Sequence, residues 1–188
     1  MSRFVIRPGE TEFDVQDRIQ GDLNLRMTHQ GTCQVAEMIE ALRGRQLDTI
    51  YCSPSEPAFS AATQVASALE IPLKVLDRLP NVNLGLWQGL SRAEIREKQP
   101  RLFRQWEDEP ESICAPQGES CEEAYDRVQR TLRKLIRRRG SFAVVASEPL
   151  ATLVVSVLKG ESPKLCGPVK MASQRNRMEC LETADSVS

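Results

Sequence analysis

Four short apolar runs rich in β-branched residues alternate along this chain with segments of helical period: Phe4 to Ile6, Thr49 to Tyr51, Leu73 to Leu76 and Phe142 to Ala146. Polar or turn residues bound each run, so each reads as a buried strand. Between them, Thr28 is the predicted cap of a helix through Val35, Ala36, Ile39 and Leu42 that stops at Gly44. Pro57 to Leu69 repeats the pattern with Ala62, Val65, Ala66 and Leu69. A longer helix starts near Glu119-Ser120, carries Ala124, Val128, Leu132, Leu135 and Ile136 on one face, and ends at Gly140. Pro149 suits the first turn of another, through Leu153, Val154 and Leu158. Such alternation predicts an α/β fold, a three-layer α/β/α sandwich with a mostly parallel sheet covered on both faces.

Ligands of such sheets bind at the carboxyl ends of the strands. Chemistry is therefore expected in Arg7-Pro8-Gly9-Glu10-Thr11, Cys52-Ser53-Pro54 and Ser147-Glu148-Pro149. Residues 80–118, with their prolines, two tryptophans and the acidic run Glu107-Asp108-Glu109, read as an excursion over that end of the sheet. The whole of 1–188 reads as one domain, with a small polar tail at 183–188 expected to fray.

Composition narrows the chemistry. The 25 Lys and Arg against 26 Asp and Glu give a nearly balanced chain, which argues against an electrostatic nucleic-acid binder. The sole histidine, His29, excludes any mechanism that needs two imidazoles. His29 and Cys33 stand four apart on one helix, but no further metal ligand is near in sequence, and the His reads as a solvated first-turn residue. Six cysteines without a CxxC pair or zinc-like spacing suit reduced thiols in a cytoplasmic protein. The N-terminal apolar run is too short for a signal peptide, and the stretch from Phe142 to Leu158 is too short and too interrupted to span a bilayer. No metal, cofactor, membrane or nucleic acid is expected.

Aligned in order, the segments after the strands resemble the histidine phosphatase superfamily, which includes the phosphoglycerate mutases. The residues carrying the likeness are Arg7-Pro8-Gly9-Glu10-Thr11, Asp14, Arg18-Ile19-Gln20-Gly21 and Met27-Thr28-His29-Gln30-Gly31. Further along are Ser53-Pro54-Ser55-Glu56-Pro57-Ala58, Gly85 to Leu90 with its Trp87, and Pro116 to Ser120. The likeness runs from about residue 3 to about residue 160 and implies a phosphoglycerate mutase-like fold.

It also implies which positions would carry catalysis, and there the pattern breaks. The position of the family's phosphoryl-accepting histidine holds Pro8, whose amide nitrogen has no lone pair to offer. The phosphate-clamping arginine falls on Pro57, the proton-donating acid on Asn81, and the second catalytic histidine on Ser147. The early asparagine has become Asp14, expected to repel an anion if it lines the pocket. Hydrogen bonds to charged groups contribute roughly 1.5–3 kcal/mol each, so losing one Arg and two His weakens phosphate binding by about 5–9 kcal/mol. Arg7, Glu10, Asp14 and Arg18 remain as residual ligand-binding candidates. Two readings of the Arg7 segment stand: a strand-ending Pro-Gly turn, or a surviving anion contact through Arg7.

Other nucleophile arrangements fail. A cysteine phosphatase needs Cys-x5-Arg, and six residues beyond Cys52 is Ala58. Ser147-Glu148 lacks an imidazole or lysine activator. The basic run Arg127, Arg130, Arg133, Lys134, Arg137, Arg138, Arg139 reads as a solvated helix face or as the docking surface of an acidic partner. The expected function is thus a superfamily member without its catalytic residues, a binding, regulatory or structural module for a protein partner or weak anionic ligand, with room for self-association. The alternative is a phosphatase or mutase acting on phosphomonoesters through rearranged residues, with Arg7 binding phosphate and Glu10, Asp14 or Glu148 activating water.

Overall fold

All four expected runs are strands, and their side chains divide between two faces because successive strand residues point to opposite sides. The computed structural model of the chain describes residues 2–138, 140–168 and 178–182. Among them, β1 (Ser2–Ile6), β2 (Thr49–Cys52), β3 (Leu73–Val75), β4 (Phe142–Val145) and β5 (Met178–Glu182) form one sheet in the order β3-β2-β4-β1-β5. The first four are parallel, and β5 pairs antiparallel with β1. No sequence signal announced β5: Met-Glu-Cys-Leu-Glu has no β-branched residue and carries two carboxylates, which suits an edge strand.

Helices cover both faces. Short α1 (Glu12–Val15) follows β1; then α2 (His29–Leu42) and α3 (Ala58–Leu69) bury Val35, Met38, Leu42, Ala61, Ala62 and Val65 against Phe4, Ile6, Ile50, Ala143 and Val145. On the other face, α6 (Cys121–Ile136) and α7 (Leu150–Lys159) pack Val128, Leu132, Leu153 and Val154 with Val5, Tyr51 and Val144. Burial of each Val, Leu, Ile, Phe or Met side chain among these stabilises the fold by roughly 1.5–3 kcal/mol. One residue of the expected α2 face is corrected: Ala36 is exposed and Met38 lies inside, because the stripe that meets the sheet runs through Gly31, Val35, Met38 and Leu42.

Residues 80–118 are more regular than an open excursion. They hold two single-turn 3-10 segments, Gly85–Trp87 and Pro110–Ser112, and two helices, α4 (Arg92–Lys98) and α5 (Pro100–Asp108). The signals for the helices lie in the chain: a reciprocal Ser91/Glu94 capping box opens α4 and Pro100 opens α5. Trp87 and Trp106 meet at a tilt of 39° with centroids 5.2 Å apart, and Phe103 meets Trp106 edge-on. Both indole N–H groups are satisfied, Trp87 donating to Gln99 and Trp106 to the Cys166 carbonyl.

One arginine closes the neck of this segment. Arg127 donates through Nε and Nη2 to the two oxygens of Glu119, each at 2.8 Å, and through Nη1 to the Pro80 carbonyl at 3.0 Å. Arg127 therefore leaves the solvated basic run, because its fork fits a carboxylate and a carbonyl at the two ends of the excursion. Arg130, Arg133 and Arg137 do face solvent, lining with Gln129 and Ile136 a surface cleft of about 310 Å³. Arg139 and the tail at 183–188 lie outside the described residues.

Arg127→Ala is expected to destabilise the chain by about 2–4 kcal/mol in urea unfolding, with Arg127→Lys recovering less than half of the loss because it lacks the fork. Amide exchange across 80–118 should rise in both variants, and unchanged exchange there would count against the closure.

Candidate functional site

Parallel pairing of β1 with β4 sets Ile6 opposite Val145, and the Ala146 amide donates to the Ile6 carbonyl at 3.0 Å. The chain therefore leaves both strands side by side, bringing Arg7 next to Ser147 and Glu148. Arg7 Nε donates to Glu148 Oε1 at 2.6 Å, with both side chains about nine-tenths buried (11% and 10% exposed). Its Nη2 lies 3.9 Å from Glu179 Oε2 on β5, whose other oxygen takes the Lys159 ammonium at 2.8 Å. Glu148 Oε2 accepts from the Thr152 hydroxyl at 2.8 Å, the Thr152 amide at 3.3 Å and the Cys166 thiol at 3.3 Å. Glu148 thereby also satisfies a free N–H in the first turn of α7.

The four positions that the resemblance marked as altered lie at or close to this end of the sheet. Pro8, Pro57 and Ser147 are buried. Asn81 is buried too, and its carboxamide is saturated: Nδ2 donates to the carbonyls of Gly21 (2.6 Å) and Glu148 (2.9 Å), while Oδ1 accepts from the amides of Val82 (2.9 Å) and Leu150 (3.2 Å). An ionised acid could not donate to those two carbonyls, so the amide is what ties the Gly21 loop to the start of α7.

The remaining candidates turn to separate partners. Glu10 accepts from the Thr28 hydroxyl at 3.1 Å, and its amide donates to Gln34 at 2.9 Å. Gly9 and Gly31 allow this close approach, since a Cβ on Gly9 would fall on the Gly31 carbonyl and one on Gly31 on that of Glu10. Asp14, a residual ligand-binding candidate, is exposed and closes the α1 capping box, accepting from the Thr11 amide and hydroxyl at 2.6 and 2.9 Å. Arg18 donates to the Gly89 carbonyl and pairs with Glu94 at 3.4 Å. No hydrogen bond or ion pair joins any two of Arg7, Glu10, Asp14 and Arg18 among the described residues. Thr152 and Cys166 gather at Glu148, and Glu179 lies near Arg7, without a motif that marks them; only Thr152, four residues after Glu148 on a predicted helix, has a local signal.

Burial disfavours the thiolate at three of the described cysteines. Burial pushes Cys52 up to about 11, with the Glu56 carboxylate adding to the effect. Cys121 is likewise pushed up to about 11 by burial, helped by Glu111 and Glu122. Cys166 is raised well above the ordinary value, first by burial and then by Glu148. His29 is exposed on α2, its Nδ1 3.9 Å from Cys33 Sγ. Among the described residues no group of three or more His, Cys, Asp and Glu is placed to hold a metal ion, and no helix is long and apolar enough to cross a membrane.

A model of the histidine phosphatase superfamily (branch 1) matches residues 4–175. Phosphoserine phosphatase 1 of Hydrogenobacter thermophilus is 30% identical over 141 residues, which are 75% of this chain and 67% of that protein. Glucosyl-3-phosphoglycerate phosphatase of Mycobacterium tuberculosis is 30% identical over 114 residues, 61% of this chain and half of that protein's length. Among solved structures, a mycobacterial hydrolase superposes with a TM-score of 0.79 at 23% identity, covering 86% of this chain and 82% of that one. The mycobacterial glucosyl-3-phosphoglycerate phosphatase gives 0.76 at 23% identity, covering 86% and 80%.

Asn81→Ala strands two carbonyls and two amides in the interior and is expected to cost roughly 3–5 kcal/mol in urea unfolding. Asn81→Asp should be at least as damaging at neutral pH and less so in acid, where a protonated carboxyl donates one bond. The buried thiols predict an alkaline limit. Because their folded values are raised, the stability they contribute is full below the ordinary 9.0 and is lost as pH rises toward about 11. Urea midpoints should fall across that window, and less steeply in Cys52→Ala; a midpoint that rises there would contradict the assignment.

Proposed function

The chain belongs to the histidine phosphatase superfamily, and from that membership we propose that it is a member without the catalytic residues, acting as a binding, regulatory or structural module. The observation that carries this reading is what stands at the ends of β1 and β4: Pro8 and Ser147, both buried, where the family's chemistry calls for two imidazoles. The one imidazole of the chain, His29, is on the surface of α2. Of the residues at the ends of β1 and β2, Pro8 offers no lone pair and the Cys52 thiol is held protonated by burial, which supports this reading.

Engagement of Arg7 by Glu148 favours a protein-binding or structural role over an anion-binding one. The solvent-facing Arg130, Arg133 and Arg137 form the surface such a module would offer to an acidic partner. The six cysteines, with no CxxC pair or zinc-like spacing, suit a reducing compartment such as the cytoplasm.

The phosphatase names of the relatives favour a second reading, phosphomonoester hydrolysis through rearranged residues. Initial-rate assays separate the two, with phosphoserine, a glucosyl phosphoglycerate and p-nitrophenyl phosphate as substrates. Release of phosphate by the wild type is expected to match that of Arg7→Ala and of heat-denatured protein. Turnover well above both controls would overturn the non-catalytic reading.

A further inference from the structure

The oxygens of Glu148 are surrounded by the kinds of group that receive an oxoanion. One is a guanidinium at 2.6 Å, one a hydroxyl at 2.8 Å, and the others are a backbone amide in the first turn of α7 and a thiol, each at 3.3 Å. These donors come from three separate stretches of chain, β1's end, α7 and the 160–168 segment, while Asn81, at the start of the excursion, donates to the Glu148 backbone carbonyl. Charge-assisted bonds of this sort are the strong ones, and helix N-termini favour negative charge. The carboxylate is nine-tenths buried and its acceptor sites are largely taken.

We propose that this cluster is an oxoanion site whose resident ligand is the chain's own Glu148 carboxylate, so that free phosphate or carboxylate enters only when Glu148 is removed. The inference deepens the non-catalytic reading and rests on it. A second anion beside Arg7 would meet both Glu148 and Glu179, whose nearest oxygen is 3.9 Å from the guanidinium. Like charges gathered around one guanidinium inside a protein repel strongly, and Arg7 has a single positive charge to share. The Cys166 thiol, held protonated by burial and by Glu148, stays a donor rather than a competing anion. Pro8 and Pro149, both buried, follow Arg7 and Glu148 directly in the chain, and the paired side chains keep only about a tenth of their surface exposed. The internal ligand thus does structurally what a bound anion would do, holding β1, α7 and the segment after it together with no small molecule present.

The test uses the full chain, with inorganic phosphate and formate as probes at ionic strength matched with chloride, read by thermal midpoint and by calorimetry. Wild type is expected to show no phosphate-dependent or formate-dependent rise. Glu148→Ala should unfold at lower temperature and be restored by either probe in a saturable way, with phosphate binding about tenfold or more tighter than in wild type. The double variant Arg7→Ala/Glu148→Ala should lose that response. Glu148→Gln keeps the side-chain volume and guards against failure to fold; it leaves Arg7 without its main counter-charge, so phosphate should raise its midpoint, though less. Phosphate binding by the wild type that disappears in Arg7→Ala would overturn the proposal, as would the absence of any anion response in both Glu148 variants. Hydrolysis is read in parallel: turnover by the wild type defeats the non-catalytic reading, whereas silent Glu148 variants without turnover defeat the internal ligand alone.

Discussion

Parallel pairing between β1 and β4 is the constraint on which the site depends. These strands are far apart in sequence, yet their register places the residues after Ile6 beside those after Val145. Both strands are apolar and buried, so neither can slip without sending its core residues to the opposite face. The polar residues that follow are consequently delivered at one point whatever their chemistry. In this chain they are an arginine and a glutamate, and they pair.

Around that pair, polar groups that a ligand-binding site would leave for substrate are used internally. Asn81 spends both donors and both acceptors on backbone, Glu148 gathers Arg7, Thr152 and Cys166, and Arg127 ties the two ends of the 80–118 segment. Buried polar groups are costly when half satisfied and rigidifying when complete. Here the described residues leave no buried side-chain nitrogen or oxygen without a partner. Relatives sharing the fold carry names of phosphatases acting on different substrates, a reminder that function resides in the groups placed on a scaffold rather than in the scaffold.

Much of the scaffold was legible in the sequence because it rests on local periodicity. The strand runs, the Thr28 and Ser120 caps and the Pro149 helix start all stand within a residue or two of their expected places. The misses share a physical cause. The β5 strand is polar and short of β-branched residues, so only its pairing with β1 makes it a strand. Ala36 and Met38 are both compatible with a helix, and the tilt of α2 against the sheet decides which is buried.

By itself, the sequence determined the α/β alternation, the order of the segments after each strand, and the absence of imidazole at Pro8 and Ser147. Those are properties of residue identity and spacing, which no packing can alter. Only the tertiary structure decided that Arg7 is neutralised by Glu148, that Asp14 and Arg18 turn to separate partners, and that Asn81 is a clasp. These outcomes depend on where side chains from distant segments come to rest, and that is set by strand register and helix packing, not by neighbours along the chain.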